Sequence, residues 1–150
     1  IHEEINRDLL ISGAVLHDFG KIDELKLEGG FDYSDKGKLL GHIVLAANKI
    51  ESTINGLEDF PESLKNQLLH LVLSHQGKLE YASPVVPKTL EAIVLYHADE
   101  LSAKTNAYKS AIMAELNTGK DWTRYLPLAE TSLYIPPKNQ NKDGFKETLF

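Results

Sequence analysis

Apolar residues recur at helical spacing from the first turns of the chain. Leu9, Leu10, Ala14, Leu16 and His17 follow Asn6, a suitable N-cap, and predict a helix that closes near Gly20. Gly29, Gly30, Asp32 and Ser34 interrupt the pattern as a turn or a short hairpin. A second helix is expected over Lys38 to Ile54, with Ile43, Ala47, Ile50 and Ile54 as its buried stripe and Asn55-Gly56 as its stop. Pro61 suits the first turn of a third, along which Leu64, Leu68, Leu71, Val72 and His75 share one face before Gly77. The prolines of "YASPVVPK" exclude regular helix there, and from Pro87 to Leu116 the helical pattern returns in a run long enough to bend. Beyond Gly119, "SLYIPP" reads as an extended segment and "KNQNKDG" as a polar loop. The expectation is an all-α helical bundle, a single domain over residues 1–150, with a short extended or hairpin excursion and an irregular C-terminal tail.

Composition narrows the chemistry more than the fold. With 42% hydrophobic and 25% charged residues, 150 residues suffice for one domain with a real core. No apolar run approaches the roughly 18 to 20 residues that a membrane span needs, and the start carries no signal-peptide pattern. The chain holds no cysteine, so a metal would have to sit on imidazole and oxygen ligands, which excludes zinc fingers and iron–sulfur clusters. The absence of cysteine and of export signals leads to an expected cytoplasmic location. A formal net charge of −6 argues against a broad basic nucleic-acid platform, while leaving room for a local basic pocket or a metal-lined site. The chain opens on Ile1 rather than Met and is expected to be part of a longer protein.

The stretch "AVLHDFGKI" sets His17 and Asp18 side by side where a helix is closing. Successive helical residues point about 100° apart, so the two side chains converge only if the helix ends or distorts there, a departure that Gly20 permits. An imidazole beside a carboxylate is a good ligand pair for a divalent first-row metal, and Lys21 could meet an anion nearby. Further ligands must come from other helices. His42 in "LLGHIVLAANK" lies beside a buried stripe, and His75 in "LVLSHQGK" lies on an apolar face. Asp99 in "LYHADELSAK" shares a face with Leu95, Ala92 and Ala103, where an unpaired carboxylate is costly and a cation would remove the cost. Read singly, the dipeptide is an ordinary surface pair and His75 an ordinary core histidine; the ordered set is what argues for metal.

The order His-Asp, His, His, Asp resembles the HD superfamily of metal-dependent phosphohydrolases over nearly the whole chain. More narrowly, "HDFGK", "LLGHI", "LVLSHQGKLEYASPVVPKTLEA" and "ADELSAK" resemble the HD domain of YhaM-type 3′-to-5′ exoribonucleases. Neighbouring groups fit less well. Cyclic di-GMP phosphodiesterases of the HD-GYP kind carry a GYP signature where "HQGKLEYASP" stands, and alarmone hydrolases carry an acidic pair where Gly20-Lys21 stand. The resemblance implies His17, Asp18 and Asp99 as core metal ligands, and His42 and His75 as ligands of a second metal or contacts to substrate phosphate. It implies one or two divalent ions (Mn, Co, Fe, Ni, Zn or Mg), catalytic roles for Asp18 and Lys21, and Lys21 and Lys104 as point charges on phosphate. The family's further histidine is expected upstream of Ile1, since His2 stands too close to His17 in sequence. Gln76 stands where relatives often have a second histidine, and the OB-fold that precedes this domain in YhaM-type enzymes is absent from the sequence.

The implied function is hydrolysis of phosphate esters, foremost as a 3′-to-5′ exonuclease on RNA or single-stranded DNA. One alternative is a nucleotide phosphatase or cyclic-nucleotide phosphodiesterase with the same ligands. The other is a non-catalytic regulatory module that binds a metal or nucleotide. His70, about 140° around the helix from His75, is expected in solvent, and His97 as a core residue or a support behind the ligands. Trp122 and Tyr125 are expected to pack against the bundle rather than stack on bases, and Lys104 has Glu100 at i,i+4 spacing as an alternative partner to phosphate.

Overall fold

A computed structural model describes residues 4–27 and 29–136. The helical pattern resolves into α1 (Arg7–Leu16), a short α2 (Lys21–Glu24), α3 (Asp35–Ile54), α4 (Glu62–Ser74) and α5 (Leu90–Glu115). The hairpin signal is real and small: β1 (Leu25–Lys26) pairs antiparallel with β2 (Asp32–Tyr33), joined through Gly29 and Gly30, both at positive φ. Contacts divide the chain into two compact units, one ending at Glu100 and one beginning at Leu101.

Each helix of the first unit begins where its capping chemistry lies. The Asn6 side chain accepts from the Leu9 N–H at 3.1 Å, and the Ser34 hydroxyl accepts from the Gly37 N–H at 2.9 Å. The core is built from Leu9, Ala46, Ile50, Ile54, Leu68, Leu71, Val72, Ala92 and Leu95. The stripe expected for α3 is buried in full, as are Leu68, Leu71 and Val72 of α4. The stripe of α1 holds at Leu9, which is buried, with Leu10 and Leu16 packed against the core, but Ala14 is exposed and Gly13 is buried in its place. Gly13 abuts the side chain of Leu71 so closely that any Cβ there would overlap it. An absent side chain leaves no mark on a hydrophobic pattern. Buried Glu91 ties the start of α5 to the start of α1, its Oε1 accepting the Asn6 N–H at 2.8 Å.

His70 is half-buried rather than solvated, because its Nε2 accepts the Lys88 N–H at 2.9 Å and holds the segment before α5 against α4. Burial, then the Lys88 charge, hold its pKa below 6.5. A folded-state pKa below the unfolded one means that stability is present above pH 6.5 and is lost as pH falls through the folded value. We expect His70 to titrate below 6.5 in an NMR titration, with the Lys88 amide shifting in step; a midpoint at or above 6.5 contradicts this contact.

In the second unit the chain pairs Trp122 with Tyr134 and Leu126 with Thr131 as isolated antiparallel bridges, which places "SLYIPP" in extended conformation up to Pro136. Trp122 and Tyr125 do not pack into a bundle. Both are exposed, and the Trp122 ring meets Tyr134 edge-on at 5.6 Å. The "KNQNKDG" segment lies outside the described residues.

Candidate metal centre

The His-Asp pair converges because α1 stops at Leu16. His17 is its C-cap, its N–H bonded to the Gly13 carbonyl, and the chain then turns through Asp18 and Phe19 to reach α2. Gly20 serves this turn differently from expectation. Its φ of −63° is open to any residue, so conformational freedom is not what it supplies. It supplies space: a Cβ at Gly20 would overlap the His42 carbonyl oxygen and press on Ala46 N, so the α1–α2 turn can lie directly on α3 only without a side chain. The contact delivers His42 to the His-Asp pair.

Gly41 decides how His42 is presented. Its φ of 71° and ψ of 156° break α3, which frees the His42 N–H from the helical ladder. The freed N–H donates to Glu24 Oε1 at 2.9 Å, and His42 Nδ1 lies 3.1 Å from the same oxygen. Glu24 is buried. The sequence reading missed it, since among Asp23, Glu24 and Lys26 nothing distinguishes it from a solvated acid. The available signal was indirect: a glycine inside a helical run, immediately before a candidate ligand, implies a freed donor in need of an acceptor.

Five side chains then meet. His17 Nε2 is 3.4 Å from Asp18 Oδ2 and 3.8 Å from Asp99 Oδ1. His42 Nε2 is 3.6 Å and His75 Nε2 3.8 Å from Asp18 Oδ1. The ligand atoms of Asp18, His42 and His75 lie within 4.8 Å of one another. All three imidazoles are held the same way. His17 Nδ1 donates to the Ala14 carbonyl at 2.8 Å, His75 Nδ1 to the Val72 carbonyl at 2.7 Å, and His42 Nδ1 to Glu24. In each neutral ring this leaves Nε2 as the lone-pair nitrogen, turned toward Asp18.

The cluster fits a divalent cation by a test independent of its composition. Asp18 Oδ1 and His42 Nε2 are buried and have no hydrogen-bond partner among the described residues. Leaving such atoms unpaired costs about 1–3 kcal/mol each, and a cation shared between them removes the penalty. Nitrogen and carboxylate donors without sulfur suit first-row divalent ions.

Electrostatics prepares the ligands. Burial by itself raises the Asp18 carboxyl, but the His17 imidazole, when protonated, and the Lys21 ammonium outweigh it and hold the group well below the ordinary carboxylate range. The His17 pKa is raised, chiefly by its bond to Asp18 and against desolvation, whereas burial lowers that of His75. Lys21 Nζ lies 2.6 Å from Asp18 Oδ2, so the lysine is a counter-ion to the carboxylate on the side facing His17.

Gln76 approaches the centre, its Nε2 reaching His75 Nε2 at 3.4 Å. His97 is not a core or supporting residue: it is exposed, with Nδ1 3.8 Å from Glu100 Oε2 and its ring 4.6 Å from that of Tyr96. The reason is that α5 buries Glu91, Ala92 and Leu95, while Ile93, Val94 and Leu101 lie on its exposed side. Asp99 is half-buried beneath that buried face, and Lys104 is half-buried on α5 within the second unit.

A family model described as the HD domain matches residues 1–104. The chain belongs to the HD domain family. Among curated proteins it is 38% identical over 136 residues to the 3′-5′ exoribonuclease YhaM of Geobacillus sp. (strain WCH70), covering 91% of this chain and 41% of the relative. It is 37% identical over 142 residues to that of Oceanobacillus iheyensis (95% and 44%) and 36% identical over 137 residues to that of Bacillus subtilis (91% and 43%). The chain thus spans less than half the length of these relatives. No solved structure matches it. Among the described residues, no helix is long and apolar enough to cross a membrane.

Proposed function

We propose that this HD domain is the hydrolytic part of a metal-dependent phosphohydrolase that shortens RNA or single-stranded DNA from the 3′ end. The observation that carries the reading is the convergence of His17, Asp18, His42, His75 and Asp99, with two buried ligand atoms otherwise unpartnered. The choice of substrate is supported by the relatives named 3′-5′ exoribonuclease.

In this reading the two oxygens of Asp18 serve two sets of donors. Oδ2 faces His17, whose Nε2 also faces Asp99, and Oδ1 faces His42 and His75. His17, Asp18, His42, His75 and Asp99 would hold one or two divalent ions, with manganese the first to test. Bound there, such ions lower the pKa of a water and withdraw charge from phosphoryl oxygens. The protein's own residues hold the geometry: Nδ1 bonds fix the three imidazoles, and burial of His75 favours its neutral, ligating form. Lys21, half-exposed beside Asp18, would set a point charge on substrate phosphate.

The test is an oligoribonucleotide labelled at its 5′ end, incubated with the full-length protein and Mn²⁺. Wild type is expected to give a ladder receding from the 3′ end. Asp99→Ala is expected to give none, and to lose metal uptake while its far-UV circular dichroism stays unchanged. Wild-type hydrolysis by Asp99→Ala would overturn the assignment of the site. Cleavage of mononucleotides without cleavage of oligonucleotides would select a nucleotide phosphatase instead.

A further inference from the structure

Glu24 makes two hydrogen bonds with one oxygen, and both go to His42. Oε1 accepts the His42 N–H at 2.9 Å and faces Nδ1 at 3.1 Å. The carboxylate itself is 10% exposed, and the backbone around it is fixed. The Glu24 carbonyl accepts the Ser34 N–H at 2.8 Å, and Gly37 packs against it too closely for a Cβ. The Glu24 side chain therefore cannot turn away, and His42 cannot turn without abandoning two bonds to a buried carboxylate. The other two histidines take their Nδ1 acceptors from backbone carbonyls of their own helices, which any sequence would supply. Only His42 depends on a side chain from elsewhere in the chain.

We propose that Glu24 is the positioning residue of the centre: it caps the second half of α3 at the Gly41 break and fixes His42 as the Nδ1–H tautomer, so that Nε2 stands as a metal ligand opposite Asp18 Oδ1. This rests on the metal-hydrolase reading for its consequence, and on the hydrogen bonds for its cause. A carboxylate behind a ligating imidazole sets ring orientation and strengthens the donor, and losing such a partner weakens metal binding about 10–100-fold. The effect is confined to the His42 side of the cluster, because His17 and His75 are anchored independently of Glu24.

The experiment uses the full chain with ¹⁵N-histidine. In metal-free protein, long-range ¹H–¹⁵N spectra are expected to show His42 as Nδ1–H in wild type and in Glu24→Gln, whose amide oxygen keeps both bonds. In Glu24→Ala the His42 signals are expected to move toward the Nε2–H tautomer, while those of His17 and His75 stay in place. Calorimetric titration with Mn²⁺ should show about 10–100-fold weaker binding for Glu24→Ala and a smaller loss for Glu24→Gln. Should Glu24→Ala fail to fold, Glu24→Asp, which keeps the charge but shortens the reach, should shift tautomer and affinity in the same direction. Unchanged His42 tautomer and Mn²⁺ affinity in a folded variant overturn the proposal, as does a shift shared equally by all three histidines. A wild type that takes up no Mn²⁺ overturns the hydrolase reading, and the tautomer result then decides the role of Glu24 by itself.

Discussion

Asp18→Asn is expected to abolish metal uptake and to lower phosphodiester hydrolysis by on the order of a thousandfold, equivalent to about 4 kcal/mol of transition-state stabilisation. The substitution changes almost no volume. It replaces the carboxylate that faces His17 and Lys21 with one oxygen and His42 and His75 with the other. An amide keeps one acceptor, but it carries no charge and puts a donor where an acceptor is needed. Folding should lose some stability, because in the metal-free protein the pairing with Lys21 and His17 outweighs the burial penalty on the carboxylate, and the amide forfeits that pairing. The expected signature is a melting temperature modestly below that of metal-free wild type, together with loss of the stabilisation that added Mn²⁺ gives wild type. Retained hydrolysis in Asp18→Asn would remove the basis for treating this cluster as the reactive centre.

Gly20→Ala is expected to be among the most damaging single-methyl changes in the described residues. The added Cβ overlaps the His42 carbonyl oxygen and presses on Ala46 N, both backbone atoms of α3, so no side-chain rotation relieves it. Overpacking against backbone places the cost near the upper end of the usual range, about 3 kcal/mol. That corresponds to a fall of about 10 °C in melting temperature for a chain of this size. The functional loss should exceed what stability alone explains, since relief requires α3 to move away from the turn that carries His17 and Asp18. Melting followed by circular dichroism, with Mn²⁺ titration below the transition, checks both parts. A variant that melts like wild type and binds Mn²⁺ equally well would show that the α2–α3 contact is looser than described.

The two variants probe different layers of one centre, and those layers differ in how readable they were. The convergent histidines and aspartates were legible because imidazole and carboxylate occur at helix ends and on apolar faces, where they need a reason to be. The buried stripe of α3 and the face of α4 that ends in His75 were legible because burial imposes a 3.6-residue period. The glycines were not. Gly20 and Gly13 matter through what is missing from them, and Gly41 through a broken helix that periodicity reads as continuous. Nor was Glu24, which acts on a residue 18 positions away. The errors at His70 and His97 have the same origin: a residue's place around its own helix does not say which neighbouring segment covers that face.

By itself, then, the sequence determined the all-α class, the small hairpin, the absence of thiolate ligands and the order along the chain of the five candidate ligands that the structure brings together. These are local properties, set by spacing, capping and residue chemistry. The tertiary structure decided that His17 and Asp99, from opposite ends of the first unit, face one another at 3.8 Å, that one carboxylate serves both sets of imidazoles, and that Glu24 fixes His42. Those facts depend on how closely α1, α3, α4 and α5 approach, and that distance is set by where glycine lets one backbone lie against another.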